Sequence, residues 1–410
     1  MERSKLIRIH IDDDKRQVVN VVTWEQRKLG ELSSSFEYGL NAAAKEYDGE
    51  NKYIRITDID DDSREFKQED ITSPDTDLSS AENYRLSEGD ILFARTGASV
   101  GKSYIYKASD GLVYYAGFLI RARIKPEYNS EFVFQNTLTG DYEKFIKVTS
   151  MRSGQPGVNA QEYSQYQIMV PSKPEQDKIS DCLRNLDNLI TLHQRKCDEM
   201  KKMKKFMLQK MFPKNGQKKP EIRFDGFTDD WEQRKFSDIA SRESVSRESS
   251  YDLPSVEYED VIAEEGRLNK DISLKENIKK GIVFDGSQVL YGKLRPYLHN
   301  WLNPDFSGVA VGDWWVLKPN NADKSFIYRL IQTQRFDDIA NQSAGSKMPR
   351  ADWNLVSNTE FAVPVSLEEQ EKIGEYFSTL DHLITLHQRK CNWLKKLKEY
   401  MLKNIFQRYK

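Results

Sequence analysis

The 410-residue sequence contains few cysteines and no long apolar run. Its three cysteines, Cys182, Cys197 and Cys391, lie far apart, which excludes a disulfide framework and a cysteine-rich zinc site. Apolar runs such as residues 282–284 are too short to span a bilayer. Because charged residues follow Met1 directly, we also expect no secretory signal. The sequence therefore predicts a soluble protein of a reducing cytoplasm, without a membrane segment or a metal site.

An excess of charge of either sign is also missing. The 62 lysines and arginines nearly balance 64 aspartates and glutamates, which leaves a net charge of −2. Any binding of nucleic acid would therefore depend on local basic patches and not on an overall positive field. The length leaves room for about two or three domains, each with its own core.

The sequence does contain an internal duplication. Residues 24–28, Trp-Glu-Gln-Arg-Lys, recur as residues 231–235, and the stretch from Leu189 to Cys197 recurs unchanged as Leu383 to Cys391. In each half, the first repeat leads into a long stretch of mixed character. A proline, an acidic-Gln pair and a long helical pattern then follow. This self-similarity predicts that the two half-chains have the same organisation, in which a variable domain is followed by a long helix.

Both long helical patterns carry a seven-residue repeat. Two interleaved ladders of mostly apolar residues alternate by four and three, which is typical of a coiled coil. The ladders are Ile179, Leu186, His193, Met200, Met207 with Leu183, Ile190, Cys197, Lys204, Met211, and Ile373, Leu380, His387, Leu394, Met401 with Phe377, Ile384, Cys391, Lys398, Ile405. We predict that the helices pair antiparallel, with the halves related by a pseudo-two-fold axis. The residues that we expect to pair the helices are the ladder members from Ile179 to His193 and from Ile373 to His387. We interpret the two histidines as packing residues and not as metal ligands.

The remaining segments predict mixed domains. Strand-like runs bounded by turn residues occur at 89–95, 104–107, 112–115 and 118–120, and again at 287–293, 309–311 and 314–317. We therefore expect an α+β fold, in which two globular domains are separated by two long antiparallel coiled-coil helices. The predicted boundaries are an N-terminal extension at 1–22, a first domain at 23–172, a central helix at 173–213, a polar linker at 214–229, a second domain at 230–365 and a C-terminal helix at 366–410.

Two stretches imitate catalytic motifs. Residues 96–103 end in Gly-Lys-Ser like a phosphate-binding loop, but Thr96 stands where that loop requires glycine. The strand-like run that follows also lacks the helix N-terminus that would hold the anion. Residues 303–306, Asn-Pro-Asp-Phe, resemble the Asn-Pro-Pro-aromatic loop of adenine methyltransferases, but the third residue is acidic and no Gly-rich cofactor loop accompanies it. Because no hydrolase or Cys/His nucleophile motif is recognisable either, we predict no catalytic site.

Taken together, these features resemble the specificity subunit of type I restriction-modification systems over nearly the whole sequence. The features are the paired Trp-Glu-Gln-Arg-Lys stretches, Gly-Asp-Ile-Leu-Phe-Ala-Arg-Thr-Gly at 89–97, a Gly loop before a Val/Ile-x-Val-Pro strand, the acidic-Gln helix starts and the two near-identical helices. The sequence departs from its own plan at one place. Residues 222–227, which precede the second tryptophan, have no counterpart within residues 1–22.

The resemblance implies a non-catalytic DNA-recognition subunit. Each globular domain would be a target-recognition domain that reads one half of a split sequence, and the paired helices would act as a spacer that binds two methyltransferase subunits. Those partners would bind S-adenosylmethionine and methylate adenine. Two motor-nuclease subunits would join them for cleavage. ATP and magnesium would also be bound by partner subunits, and this chain would bind no cofactor. A helix over residues 174–212 would be about 58 Å long at about 1.5 Å per residue, which predicts a gap of roughly five to eight unread base pairs.

Base-reading residues are expected on loops of each variable domain, because polar and basic side chains match the donors and acceptors of the major groove. The candidates are Arg95, Thr96, Ser99, Lys102, Arg152, Gln155 and Asn159 in the first domain and Lys293, Arg295, Tyr297, Lys347 and Arg350 in the second. A phosphate contact or a solvated loop is the alternative role for each of them. The lysine-rich part of the first helix, residues 195–210, is more typical of a solvated or partner-facing surface than of a DNA contact.

Two other classes of function remain open from the sequence. A coiled-coil adaptor that binds proteins through its variable domains would show no salt-dependent DNA affinity, even with methyltransferase partners present. A nucleotide-binding enzyme based on residues 97–103 would bind ATP as the isolated chain.

Overall fold

The computed structural model describes residues 5–11, 17–151, 155–214, 216–273, 275, 277–342 and 348–406. The chain divides into two units, unit 1 with residues 1–193 and 390–410 and unit 2 with residues 194–389. Each unit combines strands and short helices with parts of two long helices, in agreement with the α+β class expected from the sequence. Among the described residues, no helix combines the length and hydropathy that crossing a bilayer requires.

Unit 1 is built on an antiparallel sheet. Its elements are β1 (Lys5–Ile11), β2 (Gln17–Thr23), β3 (Glu25–Lys28), α1 (Leu29–Leu32), β4 (Ser33–Tyr38), β5 (Ala43–Glu46), β6 (Lys52–Ile54), β7 (Thr72–Asp75), β8 (Ile91–Ala94), β9 (Ser103–Ile105), β10 (Val113–Tyr115), β11 (Leu119–Ile124), α2 (Ser130–Asn136), α3 (Gly140–Thr149), α4 (Ala160–Ser164), β12 (Gln167–Val170) and the long helix α5 (Lys173–Lys210) up to residue 193. The four-stranded sheet has the order β4-β11-β8-β9. Strand β3 pairs with β12, β10 pairs with β6 in parallel, β5 pairs with β7, and β1 and β2 form a hairpin.

Unit 2 repeats this plan and adds a second four-stranded sheet. Its elements, after the end of α5, are β13 (Glu232–Lys235), α6 (Phe236–Ile239), β14 (Ala240–Glu243), β15 (Ser246–Glu248), β16 (Ser255–Val256), β17 (Val261–Ile262), β18 (Arg267–Leu268), β19 (Lys280–Phe284), β20 (Val289–Gly292), β21 (Trp301–Leu302), β22 (Gly308–Ala310), β23 (Trp314–Pro319), α7 (Lys324–Leu330), α8 (Gln334–Ala340), α9 (Trp353–Asn358), β24 (Glu360–Val363) and the long helix α10 (Leu367–Phe406), which re-enters unit 1 at residue 390. The sheet β14-β23-β20-β21 corresponds to the central sheet of unit 1, and the added sheet has the order β15-β19-β22-β16.

The repeated Trp-Glu-Gln-Arg-Lys stretch places one strand and one anchor in each unit. Its last four residues form β3 and β13, which pair with β12 and β24, the strands just before the long helices. The tryptophans are buried. Trp24 packs edge-on against Phe406 at the end of α10, with ring centroids 6.4 Å apart, and Trp231 packs in the same way against Phe212, just beyond α5, at 6.1 Å. The duplication therefore attaches each variable domain to the C-terminal end of a long helix.

The acidic-Gln pair fastens the start of each long helix to its own domain. Gln176 is buried, and its amide nitrogen donates to the carbonyl of Pro171 at 2.9 Å while its amide oxygen accepts from the backbone N–H of Asn129 at 3.0 Å. Gln370 makes the same two bonds, to Pro364 at 2.9 Å and from Asp323 at 2.9 Å. Because Asn129 and Asp323 are the N-caps of α2 and α7, one side chain links two helices and the strand end.

Segments of the two long helices pack against each other within each unit, and they run antiparallel. In unit 1, Cys391 contacts the carbonyl of Ile190 at 3.9 Å, and further along Lys398 pairs with Asp187 at 2.6 Å. In unit 2, Cys197 contacts the carbonyl of Ile384 at 3.9 Å, and Lys204 pairs with Asp381 at 2.7 Å. The structure buries Leu183, Leu186, Ile373, Phe377 and Ile384, packs Ile179, Ile190 and Leu380 against the cores, and leaves His193 and His387 partly buried.

Two side chains of the predicted polar linker at 214–229 contact the helix α10. Arg223 makes a two-pronged ion pair with Glu369, at 2.7 and 2.8 Å, and Phe224 packs on Tyr376 with ring centroids 6.0 Å apart. Glu369 also accepts a hydrogen bond from the indole of Trp231 at 3.2 Å. The segment is held because two of its side chains find partners on α10, which a count of polar residues does not reveal.

Candidate nucleic-acid interface

The candidate residues of unit 1 lie on two adjoining loops, one after β8 (95–102) and one before α4 (155–159). An isolated β-bridge joins Thr96 to Gly157. Three backbone hydrogen bonds also join the loops: the N–H of Gly97 donates to the carbonyl of Pro156 at 3.1 Å, that of Val158 to Arg95 at 2.9 Å and that of Arg95 to Phe118 at 3.1 Å. We call the bridge and these bonds together the loop frame. Residues that are distant in sequence are therefore held side by side.

Unit 2 builds the same frame from different residues. An isolated bridge joins Leu294 to Arg350. The matching backbone hydrogen bonds run from the N–H of Arg295 to Pro349 at 2.8 Å, of Ala351 to Lys293 at 2.8 Å and of Lys293 to Asp313 at 2.9 Å. The two domains thus present one backbone framework with mostly different side chains.

In unit 1 the frame supports an arginine between two aromatic rings. The guanidinium of Arg95 lies 5.1 Å from the ring centroid of Tyr38 and 5.8 Å from that of Phe118. Both aromatic side chains are exposed. Gln155 is also exposed, and its amide lies beside Gly97. Thr96 and Ser99 complete this surface as partly buried members of the first loop.

Lys102 has an internal role, unlike the base-reading role that we predicted from the sequence, and Asn159 uses its side-chain oxygen within the domain. Lys102 is only 7% exposed, its ammonium donates to the carbonyl of Ile59 at 3.1 Å, and it forms an ion pair with Asp61. The side chain of Asn159 caps α4 by accepting from the backbone N–H of Glu162 at 2.9 Å. We therefore leave Lys102 out of the candidate set, whereas a base contact by Asn159 stays a prediction.

The structure also decides the role of the Gly-Lys-Ser stretch. Residues 97–99 form a short 3-10 turn, and β9 begins at Ser103 where a phosphate loop would begin a helix. Since the ammonium of Lys102 points into the domain, neither a helix N-terminus nor a lysine is placed to hold a nucleotide phosphate. The local geometry speaks against the nucleotide-binding alternative.

In unit 2 an aspartate organises the basic residues. Asp313 accepts two hydrogen bonds from Arg350, from Nε at 3.2 Å and from Nη2 at 3.0 Å, and the ammonium of Lys293 lies 3.5 Å from the same carboxylate. The bond from Arg350 lowers the pKa of Asp313, which keeps the carboxylate ionised. Arg295, in the left-handed region with φ 49°, and the exposed Tyr297 lie on the same loop as Lys293.

Sequence reasoning missed four residues of this surface: Tyr38, Phe118, Tyr258 and Asp313. The hydroxyl of Tyr258 donates to the carbonyl of Asp313 at 2.6 Å and accepts from the N–H of Leu294 at 3.0 Å, and burial raises the pKa of this phenol. These residues reach the loops from strands and turns elsewhere in each domain. No local motif marks them, because only the sheet pairing brings them to the site.

Two predicted candidates, Arg152 and Lys347, lie outside the described residues. Within the described part of the chain, no group of three or more histidine, cysteine or acidic side chains is placed to hold a metal ion.

Comparisons with known proteins match both halves of the chain. The type I restriction modification DNA specificity domain matches residues 21–202 and 228–396. The specificity subunit of the type I restriction enzyme MjaVIII from Methanocaldococcus jannaschii is 23% identical over 405 residues, which covers 92% of this chain and 91% of that protein. The crystal structure of a type I restriction-modification S subunit from M. genitalium has a similar fold, with a TM-score of 0.66 at 13% identity over 97% of this chain and 98% of that one. Because the two domain matches together span more than half of its length, this chain belongs to the type I restriction-modification DNA specificity family, as a DNA sequence-recognition subunit.

Proposed function

We propose that this chain reads a DNA sequence in two parts separated by an unread spacer. It thereby directs adenine methylation or cleavage by partner subunits and has no catalytic site of its own. The observation that carries the proposal is the loop frame built twice, around Thr96–Gly157 in unit 1 and Leu294–Arg350 in unit 2. A frame that is kept while its side chains change is suited to reading two different half-sites.

The chemistry of the two loop sets supports unlike preferences. Unit 1 offers Arg95 flanked by aromatic rings, together with the amide of Gln155. Unit 2 offers Arg350 and Lys293 around one carboxylate. Arginine donates to the N7 and O6 of guanine, and a glutamine amide matches the N6 and N7 of adenine. Local positive groups on the loops also suit a chain whose net charge is only −2.

Apolar side chains exposed along the long helices support the binding of partner proteins. On α5 they include Leu189, Leu192, Met203 and Phe206, and on α10 they include Leu386, Trp393 and Tyr400. Spacings of three and fourteen residues on α5, and of seven on α10, keep each series on one side of its helix. Exposed apolar surface of this kind marks contacts with proteins more than contacts with DNA. We assign it to two methyltransferase subunits, with two motor-nuclease subunits completing the assembly for cleavage.

Cofactors belong, in this proposal, to those partners. S-adenosylmethionine would be bound by the methyltransferase subunits and ATP with magnesium by the motor-nuclease subunits. This chain would supply sequence recognition and positioning in the cytoplasm, where the DNA of the host and of invaders is met.

Domain exchange tests the proposal. The full chain is produced with its methyltransferase subunit in a host without other adenine methylation, and methylated adenines are mapped by sequencing. Replacing residues 23–172 with the first domain of another family member should change one half-site and leave the other half-site and the spacer unaltered. A simultaneous change of both half-sites would contradict the model of two independent readers.

The same preparation separates this function from a protein-binding adaptor, which the exposed helix surface would also suit. A DNA reader with about six to ten phosphate contacts should lose about 10³- to 10⁵-fold in affinity between about 50 and 200 mM salt. An adaptor should show no such salt-dependent binding, although it would still capture the methyltransferase subunit.

A further inference from the structure

We propose that Phe118 and Asp313 occupy one equivalent position of the two domains, and that the side chain at this position sets base preference by orienting the basic residue beside it. The inference rests on the DNA-reading function proposed above. It adds two specificity-determining residues that are not themselves required to touch a base.

The equivalence follows from the backbone. The carbonyl of Phe118 accepts from the N–H of Arg95, one residue beyond β8, and the carbonyl of Asp313 accepts from the N–H of Lys293, one residue beyond β20. Each of the two residues directly precedes the next strand of its central sheet, β11 or β23. The backbone therefore presents both side chains to the loop frame from the same place.

In unit 2 this position holds a carboxylate that orients a guanidinium. Asp313 accepts from Nε and Nη2 of Arg350, so it takes one side of the planar group and directs the Nη1–Nη2 end away from itself. That end has the donor spacing that matches the N7 and O6 acceptors of guanine. We therefore infer that Arg350 reads a guanine in the half-site of this domain.

Asp313 is itself held in place. Its carbonyl accepts from the buried phenol of Tyr258 at 2.6 Å as well as from the N–H of Lys293 at 2.9 Å. Arg350 lies next to Pro349, whose carbonyl accepts from Arg295 at 2.8 Å. Both partners of the ion pair are thus attached to the same frame, which fixes the direction of the guanidinium before DNA arrives.

In unit 1 the same position holds a ring. Arg95 packs against Phe118 and Tyr38 and not against an acid, so its orientation comes from stacking on aromatic faces. Since Phe118 accepts no hydrogen bond through its side chain, the donors of Arg95 are not directed by a carboxylate at this position. The two domains should therefore differ in how strictly they select their base, with unit 2 the stricter one.

The partial exposure of the pair argues for orientation and not for stability as its main role. The side chain of Arg350 is 53% exposed and that of Asp313 is 26% exposed. Ion pairs this open to water contribute little to folding. Their geometry, in contrast, decides whether two donors meet two acceptors on one base edge.

The test compares Asp313→Asn and Asp313→Ala with the parent chain, each produced in full length with the methyltransferase subunit. Methylation is measured on a DNA library in which both half-sites are randomised. At one position of one half-site, we expect the preference for guanine over the other bases to fall by about 5- to 150-fold, the range for an arginine contact with guanine. The other half-site should be read as before, which shows in the same sample that the variant is folded and assembled. Glu368→Gln, which neutralises a carboxylate paired with Lys372 on α10, is the matched control and should change neither half-site.

Phe118→Ala is the second arm, and it should relax one position of the other half-site only. An Asp313 variant that keeps the parental preference at every position would overturn the assignment while leaving the proposed function intact. Loss of activity without altered preference at either half-site would also overturn it, because it would reveal a structural role. If the parent chain itself showed no sequence preference, the proposed function would fail and the assignment would fall with it.

Discussion

The junction around Asp381 provides a stability prediction with an internal control, because the duplication supplies a second copy with different charges. In unit 2, Asp381 pairs with Arg329 at 2.6 Å and with Lys204 at 2.7 Å. Arg329 is only 2% exposed. The corresponding Asp187 of unit 1 pairs with Lys398 at 2.6 Å and accepts from the neutral amide of Gln135 at 2.9 Å.

Asp381→Ala leaves two enclosed cations facing each other without a carboxylate, which should cost about 3–5 kcal/mol, as when a buried ion pair loses one partner. Asp187→Ala leaves one cation and one amide, for which we expect about 1–3 kcal/mol. Burial lowers the pKa of Lys204 below 10.5. The protonated lysine therefore opposes folding, and the Asp381 variant should regain part of its stability as the pH rises towards 10.5.

Hydrogen exchange followed by mass spectrometry measures each unit separately, which a single melting curve of a two-unit chain does not. Exchange in α7 should become about 150- to 5000-fold faster in Asp381→Ala, whereas α2 should stay near its parental rate. Asp187→Ala should show the reverse pattern with a smaller effect. Equal effects of the two substitutions would refute the reasoning, as would a failure of Arg329→Met to relieve the Asp381→Ala variant.

Two further outcomes are expected. Replacing Gln370 or Gln176 with alanine leaves a buried backbone carbonyl and an N–H unsatisfied, so each substitution should destabilise its own unit by about 1–3 kcal/mol, measurable as faster exchange in α7 or α2. Lys102→Met should alter hydrogen exchange in the first domain and leave the methylated DNA sequence unchanged. Arg95→Ala should change the methylated DNA sequence with little effect on hydrogen exchange. The reverse result would show that the inward placement of Lys102 is wrong.

Features that depend on residues close together along the chain could be predicted from the sequence. The seven-residue ladders specify long helices because each helical turn brings residues three and four apart onto one face. The helices observed at Lys173–Lys210 and Leu367–Phe406 lie within the predicted ranges. Strand-like runs at 89–95 and 287–293 contain β8 and β20. The missing helix after Gly-Lys-Ser was also anticipated, because the residues that follow favour a strand.

The sequence by itself determined that the chain is duplicated, where its two long helices lie and that loops follow β8 and β20. Only the tertiary structure decided what each loop side chain does. Lys102 turns inward because Asp61 and the carbonyl of Ile59 come from a distant part of the domain. Asp313 reaches Arg350 because sheet pairing places the residue before β23 beside the end of β20. Periodicity describes the neighbours of a residue along the chain, whereas the charge and the orientation that a loop presents depend on neighbours that folding alone supplies.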